Sequence, residues 1–258
     1  MKKTRVVQIT DLHLLATPGE LLYGVDTAKA LEKIVTHIQS LSPKPDLIVL
    51  SGDIAQDGKA ESYQRVRSIF SALDIPIYAL PGNHDNVAIM RSDLVNGAIK
   101  MSFSATVDAW QFIFLDSTVD NQDYGLISET SLGELKTYLE SSEHRPSLIA
   151  LHHTPTFECS AADCQLQNRE QFLNVIQQVG NVKGVIAGHT HCQSDQLHSD
   201  IQLMATPSAF LHVEHHSRDP DTDHSDVRLT HTIDGTRQGY RILDLSSDGQ
   251  INSEVCWL

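Results

Sequence analysis

The chain has 258 residues, 40% of them hydrophobic, and 33 acidic against 19 basic side chains give it a formal net charge of -14. That length can bury one sizeable core, while the acidic balance works against polyanionic partners, nucleic acid and anionic membranes alike. No run approaches the ~18 apolar residues of a membrane span, so the expectation is one cytoplasmic domain over 1–258 that handles a small molecule.

Met1-Lys2-Lys3 opens like a secretion signal, but the apolar stretch from Thr4 to Thr10 is too short for one. It reads instead as a first strand over 4–10. Asp26 is placed to cap a helix whose apolar stripe runs Ala30, Leu31, Ile34, Val35, Ile38, Leu41. Strands follow at 46–51, 76–80 and 110–116, and Ser128 can cap a second helix through Leu132, Leu135 and Leu139. Further strands are expected at 147–151 and 182–187, so strands alternate with helical patterns as in layered α/β structure. Beyond 198 come short alternating segments, Ile201 to Ala205, Gly239 to Leu245 and Ile251 to Trp257, expected to complete a second sheet. Between them His212, His215, His216, His224 and His231 are interleaved with Glu214, Asp219, Asp221, Asp223 and Asp226, which predicts a solvated loop or lid over about 212–236 rather than a metal site. Cys159, Cys164, Cys192 and Cys256 fall at no recognised metal or redox spacing and read as reduced thiols.

Five short motifs lie just past predicted strands: Asp11-Leu-His13, Gly52-Asp53, Gly82-Asn83-His84-Asp85, His152-His153 and Gly188-His189-Thr190-His191. Taken singly, each has a bland alternative, since Gly-Asp and Pro-Gly-Asn are turn chemistry and a lone histidine is usually solvated. Open α/β sheets gather ligand sites at the carboxyl ends of their strands, so the five would converge in space. The donors are carboxylate, amide and imidazole with no thiolate, a set that suits iron, manganese or zinc. No P-loop and no G-x-S-x-G elbow occurs, which argues against a nucleoside triphosphatase or a serine hydrolase.

In this order the motifs resemble those of the calcineurin-like metallophosphoesterases over residues 4 to 192. The tail, with Thr206-Pro207-Ser208, Gln238-Gly239-Tyr240-Arg241, Asp248-Gly249 and Val255-Cys256-Trp257-Leu258, is similar to the bacterial class III 3',5'-cyclic AMP phosphodiesterases. The resemblance implies a four-layer α-β-β-α sandwich, two mixed sheets flanked by helices, with a dimetal site at the strand C-terminal ends. It implies one divalent ion on Asp11, His13, Asp53 and His191 and a second on Asp53, Asn83, His152 and His189, with Asp53 bridging. His152 is preferred to His153 because it ends the apolar strand and matches the family's usual ligand position. Asn83, His84 and His191 would meet the substrate, and His84 would be catalytic. Asp85 and His153 would support the ligands from behind, with a solvated turn carboxylate the alternative for Asp85 and the preferred reading of Asp57. A water shared by two cations becomes a hydroxide nucleophile near neutral pH, so cyclic AMP opening to 5'-AMP is the expected reaction. The alternative is a broader phosphodiesterase or phosphatase for glycerophosphodiesters and other small esters, and a metal-free scaffold would predict eroded ligands. A homodimer enters through the resemblance alone. Ala209 and Phe210 stand where the cyclic AMP branch often has a small polar residue and cysteine, and the histidine-rich stretch is longer than its counterpart there.

Overall fold

The computed structural model describes residues 3–141, 145–156, 165–216 and 230–258. The first half alternates as expected: β1 (Thr4–Ile9), α1 (Thr27–Ser40), β2 (Leu47–Ser51), α2 (Ala60–Phe70), β3 (Ile77–Leu80), a short helical turn α3 (Val87–Ile89) running into a π-turn (Met90–Leu94), and β4 (Ile99–Lys100). There follow β5 (Ser104–Val107), β6 (Trp110–Phe114), α4 (Glu129–Ser141), β7 (Ser147–Ala150), α5 (Arg169–Val179), β8 (Val182–Ala187), β9 (Ser194–His198) and β10 (Ile201–Ala205). The chain ends with β11 (His212–His216), β12 (Thr230–Asp234), β13 (Gly239–Leu245) and β14 (Ile251–Trp257).

Both predicted caps form. The Asp26 carboxylate accepts from the Lys29 amide at 3.2 Å, and the Ser128 hydroxyl accepts from the Ser131 amide at 3.0 Å. The stripe on α1 is buried at Leu31, Ile34, Val35 and Ile38, and each such side chain contributes about 1.5 to 3 kcal/mol of burial. Every residue of β2 is buried, as expected of a central parallel strand covered on both faces.

The described residues build two six-stranded mixed sheets, one in the order β14-β13-β1-β2-β3-β4 and one in the order β5-β6-β7-β8-β10-β9. One core joins the first sheet to α1 and α2 through residues such as Val7, Ile34, Leu50 and Phe70. Leu50 stands there beside β1, in register with Ile9. Another core joins the second sheet to α4 and α5 through Leu135, Phe172 and Val185. A third lies between the sheets, where Val6, Val49 and Leu243 of one meet Trp110, Phe112, Leu148 and Met204 of the other. The layers are therefore helix, sheet, sheet, helix.

Two expectations change. Of the tail segments only Ile201 to Ala205 joins the second sheet. β13 runs antiparallel to β1, with Thr4 opposite Leu245 and Gln8 opposite Arg241, so β13 and β14 extend the first sheet instead. Strand alternation reports a half-buried face but not which sheet supplies it. The histidine-rich stretch is not loop throughout, because β11 and β12 pair as an antiparallel ribbon with Val213 opposite Ile233. His224, Cys159 and Cys164 lie outside the described residues. No helix among the described residues is long and apolar enough to cross a membrane.

A buried polar network ties the sheets together beneath the strand ends. Arg241, 1% exposed, donates to Thr206 Oγ1, to the Ala205 carbonyl and to Asp195. Thr206 donates to Gln8 Oε1 at 2.6 Å, and Gln8 Nε2 donates to Ser51 Oγ and the Ala187 carbonyl. These buried polar atoms thereby satisfy one another, where each left alone would cost about 1 to 3 kcal/mol.

Candidate metal centre

The five motifs converge at the carboxyl ends of the two sheets. Asp11 follows β1, Asp53 follows β2, Asn83 follows β3, His152 follows β7 and His189 follows β8, each two or three residues past the strand end. Asp11, His13, Asp53, His189 and His191 all have positive φ, between 45° and 73°. For residues other than glycine such backbone costs on the order of 1 to 3 kcal/mol each, and it gathers where side chains are aimed at a common point. Gly52, with φ of 95°, turns the chain out of β2, and a Cβ there would run into the His152 ring.

Two clusters result. In one, His191 Nε2 lies 3.3 Å from Asp11 Oδ1 and 3.1 Å from His13 Nε2. In the other, His152 Nε2 lies 3.1 Å from Asn83 Oδ1. Asp53 stands between them, its Oδ2 3.5 Å from His13 Nε2 and 3.4 Å from His152 Nε2. The ligand-type atoms of Asp11, His13 and His191, and separately those of Asp11, Asp53 and His152, lie within 4.8 Å of one another.

Hydrogen bonds fix which ring nitrogens point inward. His152 Nδ1–H donates to the Ser51 carbonyl at 2.9 Å, leaving Nε2 to face Asp53 and Asn83. His13 Nδ1–H donates to Gln56 Oε1 at 2.7 Å, leaving its Nε2 to face His191 and Asp53. His189 is anchored through its backbone N–H, which donates to the Asp11 carboxylate.

The electrostatics fit a cation centre. Burial disfavours a charge on His13, pushing it down to about 4, and does the same to His189, at about 3. His152 is also buried, yet the Asp53 carboxylate overrides burial and lifts it to about 9. Burial would raise Asp11, but His191 and His152 bring it down to about 2. Ionised Asp11 and Asp53 beside neutral His13 and His189 form donors ready for divalent ions, while His152 must give up a proton for a cation to bind. The strained backbone, the inward-facing nitrogens and the mixed oxygen and imidazole donors fit two such ions.

Of the supporting residues, Asp85 has partners other than the histidines expected for it. Asp85 meets backbone rather than histidine: its carboxylate accepts from the amides of Ile54, Ala55 and Gly82 and from the Tyr63 hydroxyl, clamping the second motif to the third. Burial and neighbouring Asp53 raise Asp85 to about 6. Asp57 is a turn carboxylate at the start of α2, accepting from the Ser62 hydroxyl and the Lys59 amide. His153 packs beside both His152 and His189, with Nδ1 against Ser117 Oγ at 2.9 Å and a buried Nε2 that has no partner among the described residues. Cys192 is buried and its thiol donates to Thr190 Oγ1.

His84 stands at the open side of the site, edge-on to His13 with ring centroids 4.9 Å apart. Its backbone N–H donates to Asp53 Oδ1 at 2.9 Å. Gln56, which no motif singles out, touches both His13 and His84.

The sequence pattern of the calcineurin-like phosphoesterases matches residues 4–193. A 3',5'-cyclic-nucleotide phosphodiesterase of Nostoc is 32% identical over 97% of this chain and 91% of its own length. A 3',5'-cyclic adenosine monophosphate phosphodiesterase of Vibrio vulnificus is 32% identical over 97% of this chain and 89% of its own. Among solved structures, a dimetal phosphatase from Danio rerio aligns with a TM-score of 0.63 at 16% identity, covering 98% of each chain, a likeness of fold.

Proposed function

The chain belongs to the calcineurin-like phosphoesterase family, and from that membership we propose that it hydrolyses 3',5'-cyclic AMP to 5'-AMP. The observation that carries the reading is Asp53, whose Oδ2 lies within 3.5 Å of a histidine nitrogen from each cluster. The cyclic AMP phosphodiesterase of Vibrio vulnificus, aligned over nearly the whole chain, supports the choice of substrate.

Asp11, His13, Asp53 and His191 would hold one divalent ion, and Asp53, Asn83, His152 and His189 the other. Bound there, the ions supply positive charge that acidifies water and offsets the negative phosphate. Iron, manganese and zinc suit this donor set. His84, at the open edge, would meet the phosphate or the departing ribose oxygen, and a proton delivered there completes cleavage of the P–O3' bond. Asp53 orients His84 by accepting its backbone N–H. A cytoplasmic location belongs to the same proposal, as does a homodimer.

The test is a product analysis of metal-stripped protein reconstituted with manganese, given cyclic AMP, glycerophosphocholine and an aryl phosphodiester in parallel. Conversion of cyclic AMP to 5'-AMP at about 1 to 10³ per second supports the proposal. Turnover of the other esters with cyclic AMP untouched would move the enzyme to a broader specificity.

A further inference from the structure

Leu22, Tyr23, Gly24 and Val25 make a tight reversal between the first motif and α1. The N–H of Leu22 donates to the Val25 carbonyl and the N–H of Val25 to the Leu22 carbonyl, both at 2.9 Å. Both central residues have positive φ, 49° at Tyr23 and 80° at Gly24. That is the pattern of a type I′ turn, whose central positions ordinarily go to Asn, Asp or Gly. A bulky ring at the first of them is disfavoured by its own Cβ. Burial does not account for it, because Tyr23 is 74% exposed. Backbone strain with no packing to explain it points to a use for the side chain. The turn stands at the rim of the metal centre. Leu22 and Val25 pack on the cluster of Ala30, Phe210 and Leu211, and the Phe210 ring lies 5.1 Å from that of His13 and 5.6 Å from that of His191. Ahead of the turn, Arg65 of α2 donates to the carbonyls of Leu15 and Thr17, which ties down the chain leading from His13. A firmly held turn thus presents one exposed aromatic ring, with the Phe210 cluster between its flanking residues and two candidate ligands.

We infer that Tyr23 is a stacking platform for the base of a nucleotide ester, and the residue that favours a cyclic nucleotide over a glycerophosphodiester. The inference rests on the proposed cyclic AMP reading and extends it to the part of the ester remote from phosphorus. The candidate ligands and His84 deal with the phosphate, which both substrate classes share, so they do not distinguish a nucleoside from a glycerol. An exposed ring does, because stacking uses the flat π face that a nucleobase has and glycerol lacks. Every base offers such a face, so Tyr23 selects for the presence of a base and not among bases. Quaternary ammonium headgroups are taken up by cages of several rings, whereas a single exposed ring suits one face of a base. Tyrosine also loses little conformational freedom on binding, having only two χ angles to fix, and the turn already fixes its backbone.

The experiment is calorimetric titration of zinc-loaded protein with 5'-AMP, 5'-GMP, ribose 5-phosphate and phosphocholine, using wild type, Tyr23→Phe and Tyr23→Asn. Wild type should bind both nucleotides about 5- to 30-fold more tightly than ribose 5-phosphate, the lower half of the range for base stacking on an aromatic side chain. Tyr23→Phe should keep that ratio, and Tyr23→Asn should bring it close to one while ribose 5-phosphate binds as before. Because Asn suits this turn position, Tyr23→Asn should also raise Tm by about 1 to 3 °C. A gain in stability joined to a loss of base affinity is an outcome that a merely structural tyrosine would not produce. A ratio near one in wild type, or an unchanged ratio in Tyr23→Asn, would overturn the inference. So would a lower Tm with weakened binding of ribose 5-phosphate, which would trace the effect to the turn, or a loss confined to phosphocholine. Tyr23→Leu, which keeps apolar bulk without a ring, carries the same test if Tyr23→Asn does not fold. Base preference without turnover of cyclic AMP would count against the proposed substrate and leave Tyr23 in its role, whereas turnover without base preference would count against Tyr23 alone.

Discussion

Asp53 and His84 bear different loads at the same site, and their variants should separate. Asp53→Ala removes the carboxylate that faces both clusters, so the reconstituted protein should fall short of two metal equivalents and lose activity with them, as read by elemental analysis. His84→Ala leaves the proposed ligands intact and should retain both ions while turnover falls by about 10² to 10⁴; near-normal turnover would remove His84 from the chemistry. The candidate ligands are legible in the sequence because five motifs of distinctive donors each follow a strand. Gln56 is not, since a lone glutamine in a turn has no chemical signature until its two neighbours are in place. Asp85 reads in sequence as a partner of histidines, whereas four hydrogen bonds commit it to backbone amides and Tyr63.

The elements carry the strain that aims these side chains. Gly188 follows β8, where a Cβ would run into Thr10 and Asp11. Gly188→Ala should therefore reduce metal affinity, measured by calorimetry, with far-UV dichroism little changed; undiminished affinity would show that the turn can yield. Farther from the site, Arg5 on β1 donates to both oxygens of Asp244 on β13, at 2.7 and 2.9 Å. These bonds hold the Asp244 carboxyl below its ordinary value. The stabilisation is thus present above the unfolded carboxylate pKa of about 3.9 and is lost as pH falls through the lower folded value. Asp244→Asn should cost up to about 1 kcal/mol at neutral pH, roughly 2 °C in Tm, with the difference from wild type shrinking toward pH 2. An equal difference at both pH values would contradict the assignment. Helix caps and central strands are readable from local pattern, but the sheet joined by β13 is not, because that pairing spans nearly the full chain.

At the scale of the molecule, we propose that the chain folds as one unit. Its last strands seal the edge of its first, and Arg241 links the two sheets beneath the metal centre. Trp110 in the core between the sheets and Trp257 on β14 report on different regions. Fluorescence and far-UV dichroism should therefore give coincident thermal transitions, and separated transitions would indicate independent parts. Substrate identity is the least legible property, since the ligand set specifies the chemistry while no motif marks the residues that meet the rest of the ester. The most direct measurement is single-turnover hydrolysis of cyclic AMP in ¹⁸O-labelled water by the manganese-loaded enzyme. The account predicts 5'-AMP with one ¹⁸O on phosphorus and none in the ribose hydroxyl. Label in the ribose, 3'-AMP as product, or no turnover with two ions bound would contradict it.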